Sequence, residues 1–207
     1  MVRALDNPQL VVGVLALQGA FVSHERMLNS LNGSGEKFGG RQITSRQVRT
    51  PQDLSSCDAL IMPGGESTTM SQLLESSELY EPVKKSIKEG MPVLGTCAGM
   101  ILLAEKIIDG RDDQVSFAAI NIDVQRNAYG RQIDSFEADI AVSGLKDSFH
   151  AVFIRAPRIL KADKSVETLA EFDGQIVLAK QKNVLVASFH PELSNDNRIH
   201  GMFVKEI

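Results

Sequence analysis

Two cysteines and four histidines set the covalent chemistry open to this chain of 207 residues. Cys97 has the more telling surroundings. It lies in Gly95-Thr-Cys-Ala-Gly99, after Pro92-Val-Leu94, which reads as the end of a buried strand, and before the apolar run Ala98–Ala104, which reads as a helix. A small-residue turn from strand to helix holds a nucleophile in a tight backbone geometry. The flanking glycines remove the Cβ atoms that would collide as the chain reverses. The helix that follows aims its first amides and positive dipole end at the sulfur, which favours the thiolate and offers donors to an oxyanion. Taken alone, the segment also fits a buried cysteine in a glycine-rich turn.

A cysteine nucleophile needs a base to take its proton and an orienting group on the far side of that base. His190 follows an apolar strand, and His190-Pro191-Glu192 puts a carboxylate two residues on around a stiff bend. His24, on a helix, and His200, in the C-terminal segment, are less well placed for that role. Cys57 reads as a small packing residue before a strand. No cysteine or histidine spacing matches a structural zinc site, and Cys57 and Cys97 form no Cys-x-x-Cys motif.

The elements that must position these residues follow from periodicity. Val11–Leu17 is a near-continuous apolar strand, ended by Gln18-Gly19 and followed by a helix over Ala20–Leu31. Ile43–Val48 is a polar, outer strand, Pro51–Ser56 a helical turn, and Ala59–Met62 a buried strand. Pro63-Gly-Gly-Glu-Ser-Thr-Thr69 then lacks the lysine of a phosphate-binding loop. Its amides suit a carboxylate or an oxyanion, and it fits an ordinary turn with a helix cap equally well. Thr69–Leu74 and Leu79–Lys88 read as helices. Past the Cys97 helix the pattern turns to strands: Val115–Val124, Ser135–Val142, Val152–Ile154, the hairpin Val166–Phe172 with Gln175–Ala179, and Val184–Phe189. A short helix, Arg198–Val204, closes the chain. The expectation is one α/β domain over 1–207, a three-layer, doubly wound, mostly parallel sheet with an antiparallel extension. In such sheets the crevice lies beyond the carboxyl ends of the strands. Gln18, Gly64-Gly65, Cys97 and His190 all follow strands, so this topology gathers them on one edge.

Composition narrows the class. At 43% hydrophobic and 23% charged, the chain has the make-up of an ordinary soluble globular protein. A net charge of −4 without a basic cluster gives nucleic acid no footprint. The apolar runs are too short to span a bilayer, and the first residues lack a secretory layout, so a cytoplasmic protein is expected.

The order of a Gly-x-Cys-x-Gly elbow and a later His-Pro-Glu resembles the class I, triad-type glutamine amidotransferases, whose sheet is flavodoxin-like. Further blocks are similar to the glutaminase subunits of pyridoxal 5′-phosphate synthase. They are Gly13–Ala20, Pro63–Thr69, Gly95–Met100, Arg126–Gln132, Ser135–Glu137, Phe153–Pro157 and Phe189–Leu193. The glycine-rich insert Asn32–Gln42 is the main departure. The resemblance implies Cys97 as nucleophile, His190 as base and Glu192 as its orienting group, with the amides of Gly65 and Ala98 as oxyanion hole. It implies that Gly65, Glu66, Ser67, Arg126, Ile154 and Arg155 hold L-glutamine. From the sequence alone, Arg126 reads as a surface salt bridge. The resemblance also implies that no cofactor or metal is needed, that a (β/α)8 synthase subunit receives the ammonia, and that the turn Gln18-Gly19 is rearranged when it docks. The alternatives are a glutaminase of another class I pathway, a non-catalytic binding subunit of this fold, and a cysteine peptidase or redox protein on a similar sheet.

Overall fold

The computed structural model describes residues 9–33, 38–111, 113–126 and 135–207. The lead-in before Gln9, positions 34–37 of the glycine-rich insert and positions 127–134 of the Arg126 and Ser135 blocks' surroundings lie outside the described residues.

The chain opens with β1 (Gln9–Leu15), α1 (Phe21–Leu31), β2 (Gln42–Val48), α2 (Pro51–Ser55) and β3 (Ala59–Met62). Next come α3 (Ser67–Ser76), α4 (Tyr80–Lys88), β4 (Val93–Thr96) and α5 (Ala98–Leu103). The second half holds β5 (Ala104–Ile107), β6 (Ile120–Gln125), β7 (Ser135–Ile140), β8 (Phe149–Ile154), β9 (Arg158–Ala162), β10 (Glu167–Phe172), β11 (Gln175–Gln181) and β12 (Val184–Ala187). A 3₁₀ turn, Pro191–Leu193, and α6 (Arg198–Val204) end it. Among the described residues the main sheet runs β10-β11-β12-β4-β3-β1-β2. β12, β4, β3, β1 and β2 pair in parallel, while β10 and β11 add the antiparallel extension. β2 is an edge strand, as its polar sequence requires.

Strand periodicity divides the core in two. Val12 and Val14 of β1, Ile61 of β3, Leu94 of β4 and Leu185 of β12 face one cluster, with Leu28 and Leu31 of α1 and Phe203 of α6. Leu15, Leu60, Met62, Val93 and Val186 face the other, which takes in Met70 and Leu74 of α3, Val83 of α4 and Leu102 of α5. Successive side chains of a strand point to opposite faces, so central strands covered twice must be apolar throughout. The result is the expected three-layer arrangement. The β7–β8 ribbon packs with the first cluster through Phe149 and Phe153. The small sheet β5-β6-β9 packs with the second through Ile122 and Ile159. No helix among the described residues is long and apolar enough to cross a membrane.

Three readings are corrected. The apolar run after Cys97 stays helical only to Leu103, because Ala104 enters β5 and pairs with Ile120. Val115–Ala119 is not strand: Phe117 N and Ala119 N donate to the carbonyls of Leu102 and Leu103, and Ala118 has φ +48°. These amides satisfy the last carbonyls of the buried end of α5 instead of extending β6. β9 lay unread in Arg158–Ala162, where only Ile159 is fully buried and the alternation is too short to register.

Candidate active site

The parallel register sets the carboxyl ends of the central strands level. Met62 lies opposite Gly95 and Ala187 opposite Thr96. A cavity of about 430 Å³ opens there, its wall including Gln18, Gly65, Cys97, Arg126, Arg155 and His190. A larger polar groove, about 710 Å³, runs between α1 and the 191–197 segment, but it contains neither Cys97 nor His190. The smaller cavity is the one that holds both Cys97 and His190.

Cys97 N donates to Ala187 O at 2.9 Å, which ties the elbow to the strand that leads into His190. Its backbone is held at φ +47°, ψ −103°. For a non-glycine residue this costs on the order of 1–3 kcal/mol, which the surrounding sheet must hold in place. His190 is anchored as firmly. Its N–H donates to Val152 O of β8 at 2.8 Å, and the preceding Phe189 packs between Phe149 and Phe153 with both centroid distances 5.7 Å.

The imidazole Nδ1 of His190 lies 2.7 Å from Glu192 Oε1. That contact assigns the Nδ1 hydrogen to the carboxylate and leaves Nε2 for the sulfur. Burial pulls the His190 pKa down. Hydrogen bonding and charge attraction from Cys97, then Glu192, outweigh it and raise the group to about 10. Glu192 is buried, which favours its neutral form, yet His24 and His190 hold it below the usual carboxylate range. A cysteine sulfur and an imidazole backed by a buried carboxylate are equipped to attack an electrophilic carbonyl carbon and to protonate the leaving group.

The oxyanion candidates flank this pair. Ala98 is the first residue of α5, where an N–H has no acceptor within its helix. Gly65 lines the cavity, and Gly64 lies against the His190 ring: a Cβ on Gly64 would sit 2.3 Å from His190 Cε1. Gly19 turns at φ +95°, with its carbonyl-side neighbour Ala20 donating N–H to Gly64 O at 3.2 Å. Gln18 Oε1 accepts from Glu66 N at 3.0 Å, so the side chain bridges the two turns.

Glu66 caps α3, accepting from Thr68 N at 3.1 Å and from Thr69 N and Thr69 Oγ1 at 2.6 Å. Partial burial works against its charge, but those bonds win and lower its pKa to about 2. Ser67, the next residue, is buried in the cavity wall. Arg126 Nη2 meets Glu66 Oε1 at 3.3 Å, and its Nη1 donates to Gln114 Oε1 at 2.8 Å. The salt bridge read from sequence and the cavity position are therefore both present. Ile154 and Arg155 reach the same cavity from the end of β8, Arg155 with φ +43°.

His24, Thr96 and His200 were missed. His24 is fully buried and puts Nε2 3.4 Å from Glu192 Oε2 and 3.2 Å from Thr96 Oγ1, with Nδ1 2.9 Å from His200 Nε2. The available signal was a histidine in the buried stripe of α1, in step with Leu28 and Leu31.

Comparison with known proteins agrees with this geometry. Residues 14–207 match the model of the SNO glutamine amidotransferase family. The chain is 49% identical over 198 residues to the pyridoxal 5′-phosphate synthase subunit PdxT of Herpetosiphon aurantiacus, covering 94% of this chain and 99% of that protein. It is 48% identical over 202 residues to the Haemophilus ducreyi protein of the same name, covering 98% and 99%. A crystal structure of a glutamine amidotransferase superposes with a TM-score of 0.84 at 42% identity, over 94% of this chain and 97% of that one. PurLQS of Thermotoga maritima, at a TM-score of 0.59 and 14% identity over 97% and 95% of the two chains, shares the fold alone.

Proposed function

The chain belongs to the SNO glutamine amidotransferase family, and on that premise we propose that it hydrolyses L-glutamine to L-glutamate and ammonia for pyridoxal 5′-phosphate synthesis. The observation that carries the assignment of the site is the line from Cys97 through His190 to Glu192, with its 2.7 Å carboxylate–imidazole contact, beside a cavity whose wall includes Glu66, Arg126 and Arg155. One domain over 1–207 carries the whole activity, a reading supported by the family match over 14–207.

The Cys97 thiolate attacks the side-chain amide carbon of glutamine. The negative oxygen of the tetrahedral intermediate takes hydrogen bonds from the Gly65 and Ala98 amides; losing one such donor costs about 2.7–4 kcal/mol of transition-state stabilisation. His190 gives its proton to the amide nitrogen, the C–N bond breaks, and ammonia leaves a Cys97 thioester. His190, now neutral, takes a proton from water. The hydroxide cleaves the thioester, releasing glutamate and restoring the ion pair. Glu192 keeps the His190 ring oriented through both steps. Arg126, held by Gln114 and Glu66, offers its guanidinium fork to the substrate α-carboxylate. Gly65, Glu66, Ser67, Ile154 and Arg155 shape the rest of the pocket.

The relatives are named as subunits of pyridoxal 5′-phosphate synthase, so the ammonia passes to a synthase subunit rather than to bulk water. Docking of that subunit acts through Gln18-Gly19, whose side chain and peptide border the Gly64-Gly65 turn. The test is glutamate release from L-glutamine by wild type and Cys97→Ala, alone and with the cognate synthase. Wild type turns over and Cys97→Ala, folded, does not. Equal activity of the two overturns the assignment.

A further inference from the structure

Behind the triad lies a second, wholly buried polar chain. Glu192 spends Oε1 on His190, while its Oε2 is buried with no hydrogen-bond partner among the described residues. The group facing that oxygen is His24 Nε2, at 3.4 Å, and both side chains are fully buried. His24 comes from α1 and His200 from α6, so two helices meet behind the 3₁₀ turn that carries Glu192.

Given the triad proposed above, we infer that His24 is a positioning residue: as the Nε2–H tautomer, set by His200, it places the positive end of its N–H beside Glu192 Oε2 and holds the carboxylate in the rotation that serves His190.

The tautomer follows from the partners. His24 Nδ1 and His200 Nε2 are 2.9 Å apart, so one donates and the other accepts. If His24 Nδ1 donated, a bare Nε2 lone pair would face the Glu192 carboxylate, and His200 Nδ1–H would be a buried donor without a partner. With His200 Nε2–H donating, His24 Nδ1 accepts and Nε2–H donates to Thr96 Oγ1 at 3.2 Å, with Glu192 Oε2 beside it at 3.4 Å. Only an acceptor nitrogen on His200 is then left unpaired. Burial, against the pull of Glu192, keeps His24 below an ordinary imidazole value, and burial drives His200 further down; both shifts favour the neutral form. The groups in contact with Glu192 are thus His190, as a cation, and His24, as a dipole. At 3.4 Å the contact is electrostatic, not an aligned hydrogen bond. An unlocked carboxylate can rotate away and release His190, which weakens the ion pair with Cys97 without touching the glutamine pocket.

The test compares wild type, His24→Leu, His24→Gln and His200→Leu on the full chain. Two readouts are taken: kcat and KM for glutamine with synthase present, and the pH dependence of Cys97 alkylation by iodoacetamide on the chain alone. Cys57 does not interfere, being 2% exposed with its thiol pushed up by burial to about 11. In His24→Leu, kcat falls about tenfold, as when an outer partner of an oriented imidazole is lost, with KM within about twofold. The pH at which Cys97 becomes reactive rises. His24→Gln, which keeps an N–H donor at the same reach, restores most of both. His200→Leu shifts the alkylation profile in the same direction by less, and it carries the test if His24→Leu does not fold. A folded His24→Leu, or His200→Leu in its place, with the wild-type alkylation profile overturns the inference. So does a loss that His24→Gln fails to rescue, since packing alone would explain it. If the alkylation shift appears while wild type releases no glutamate with any synthase, the functional reading fails and the positioning role stands.

Discussion

Replacing Gly64 by alanine puts a methyl group where the His190 ring already lies. The new Cβ would sit 2.3 Å from Cε1 and 2.9 Å from Nδ1 of His190, and 3.4 Å from Cys97 Cβ. Non-bonded carbons settle at about 3.5–4.0 Å, so the ring or the turn must yield by more than about 1 Å. The ring has little freedom to do so. Its backbone is tied to Val152 O, Phe189 is wedged between two phenylalanines, and Glu192 holds Nδ1 at 2.7 Å. Moving along that last contact takes it out of hydrogen-bonding range. A misplacement of about 1 Å costs on the order of 100-fold in rate, and overpacking costs about 1–3 kcal/mol of stability. For a domain of this size that is a Tm lower by about 2–12 °C. Gly65→Ala is the comparison: its Cβ would meet Gln18 Oε1 at 2.4 Å, the acceptor of the Glu66 amide, so it breaks that bridge without pressing on the His190 ring. Steady-state glutamate release with synthase present, alongside thermal melts, separates the two. Gly64→Ala should lose about 100-fold in kcat and melt lower, whereas Gly65→Ala should lose activation by the synthase to the same extent as Gln18→Ala. A folded Gly64→Ala within about threefold of wild type would refute the placement of His190 against this turn.

Three further outcomes are expected. The His190 pKa is raised from 6.5 to about 10 on folding, so its contribution to stability is complete below 6.5 and lost as pH rises through about 10. The Tm of wild type should fall across that window, and the Tm of Glu192→Gln should fall less; parallel curves would mean that the pair adds no pH-linked stability. Arg126→Met removes the fork and its bonds to Gln114 and Glu66, so KM for glutamine should rise about tenfold with a smaller fall in kcat, and an unchanged KM would leave Arg126 a purely structural ion pair. Gln18→Ala deletes the acceptor of the Glu66 amide and should blunt activation by the synthase, up to the ~100–1000-fold of an oxyanion donor. Equal kcat for free and synthase-bound wild type would rule out a gate at that turn.

Much of this architecture was legible in one dimension because it rests on local physics. Apolar residues at every position of Val12–Leu15, Ala59–Met62 and Val184–Ala187 are the mark of strands covered on both faces, and the burial of each matches. Small residues on both sides of Cys97 announce a reversal that only a tight turn can make. The Asp173-Gly174 hairpin and the α6 boundaries follow from turn chemistry and periodicity in the same way. What local pattern could not carry is any relation between residues far apart along the chain. The hydrogen bond from Cys97 N to Ala187 O, and the one from His190 N to Val152 O, exist only because β12 pairs beside β4 and the β7–β8 ribbon folds over it. The small strands β5 and β9 are too short and half-exposed to declare themselves, and they form because β6 satisfies their backbone groups. His24 and His200 looked like unremarkable helix positions, since a histidine's role depends on what faces its two nitrogens. Packing of α1 against α6 and the 191–193 turn decides that, by closing water out and leaving Glu192 Oε2 to look at a single imidazole.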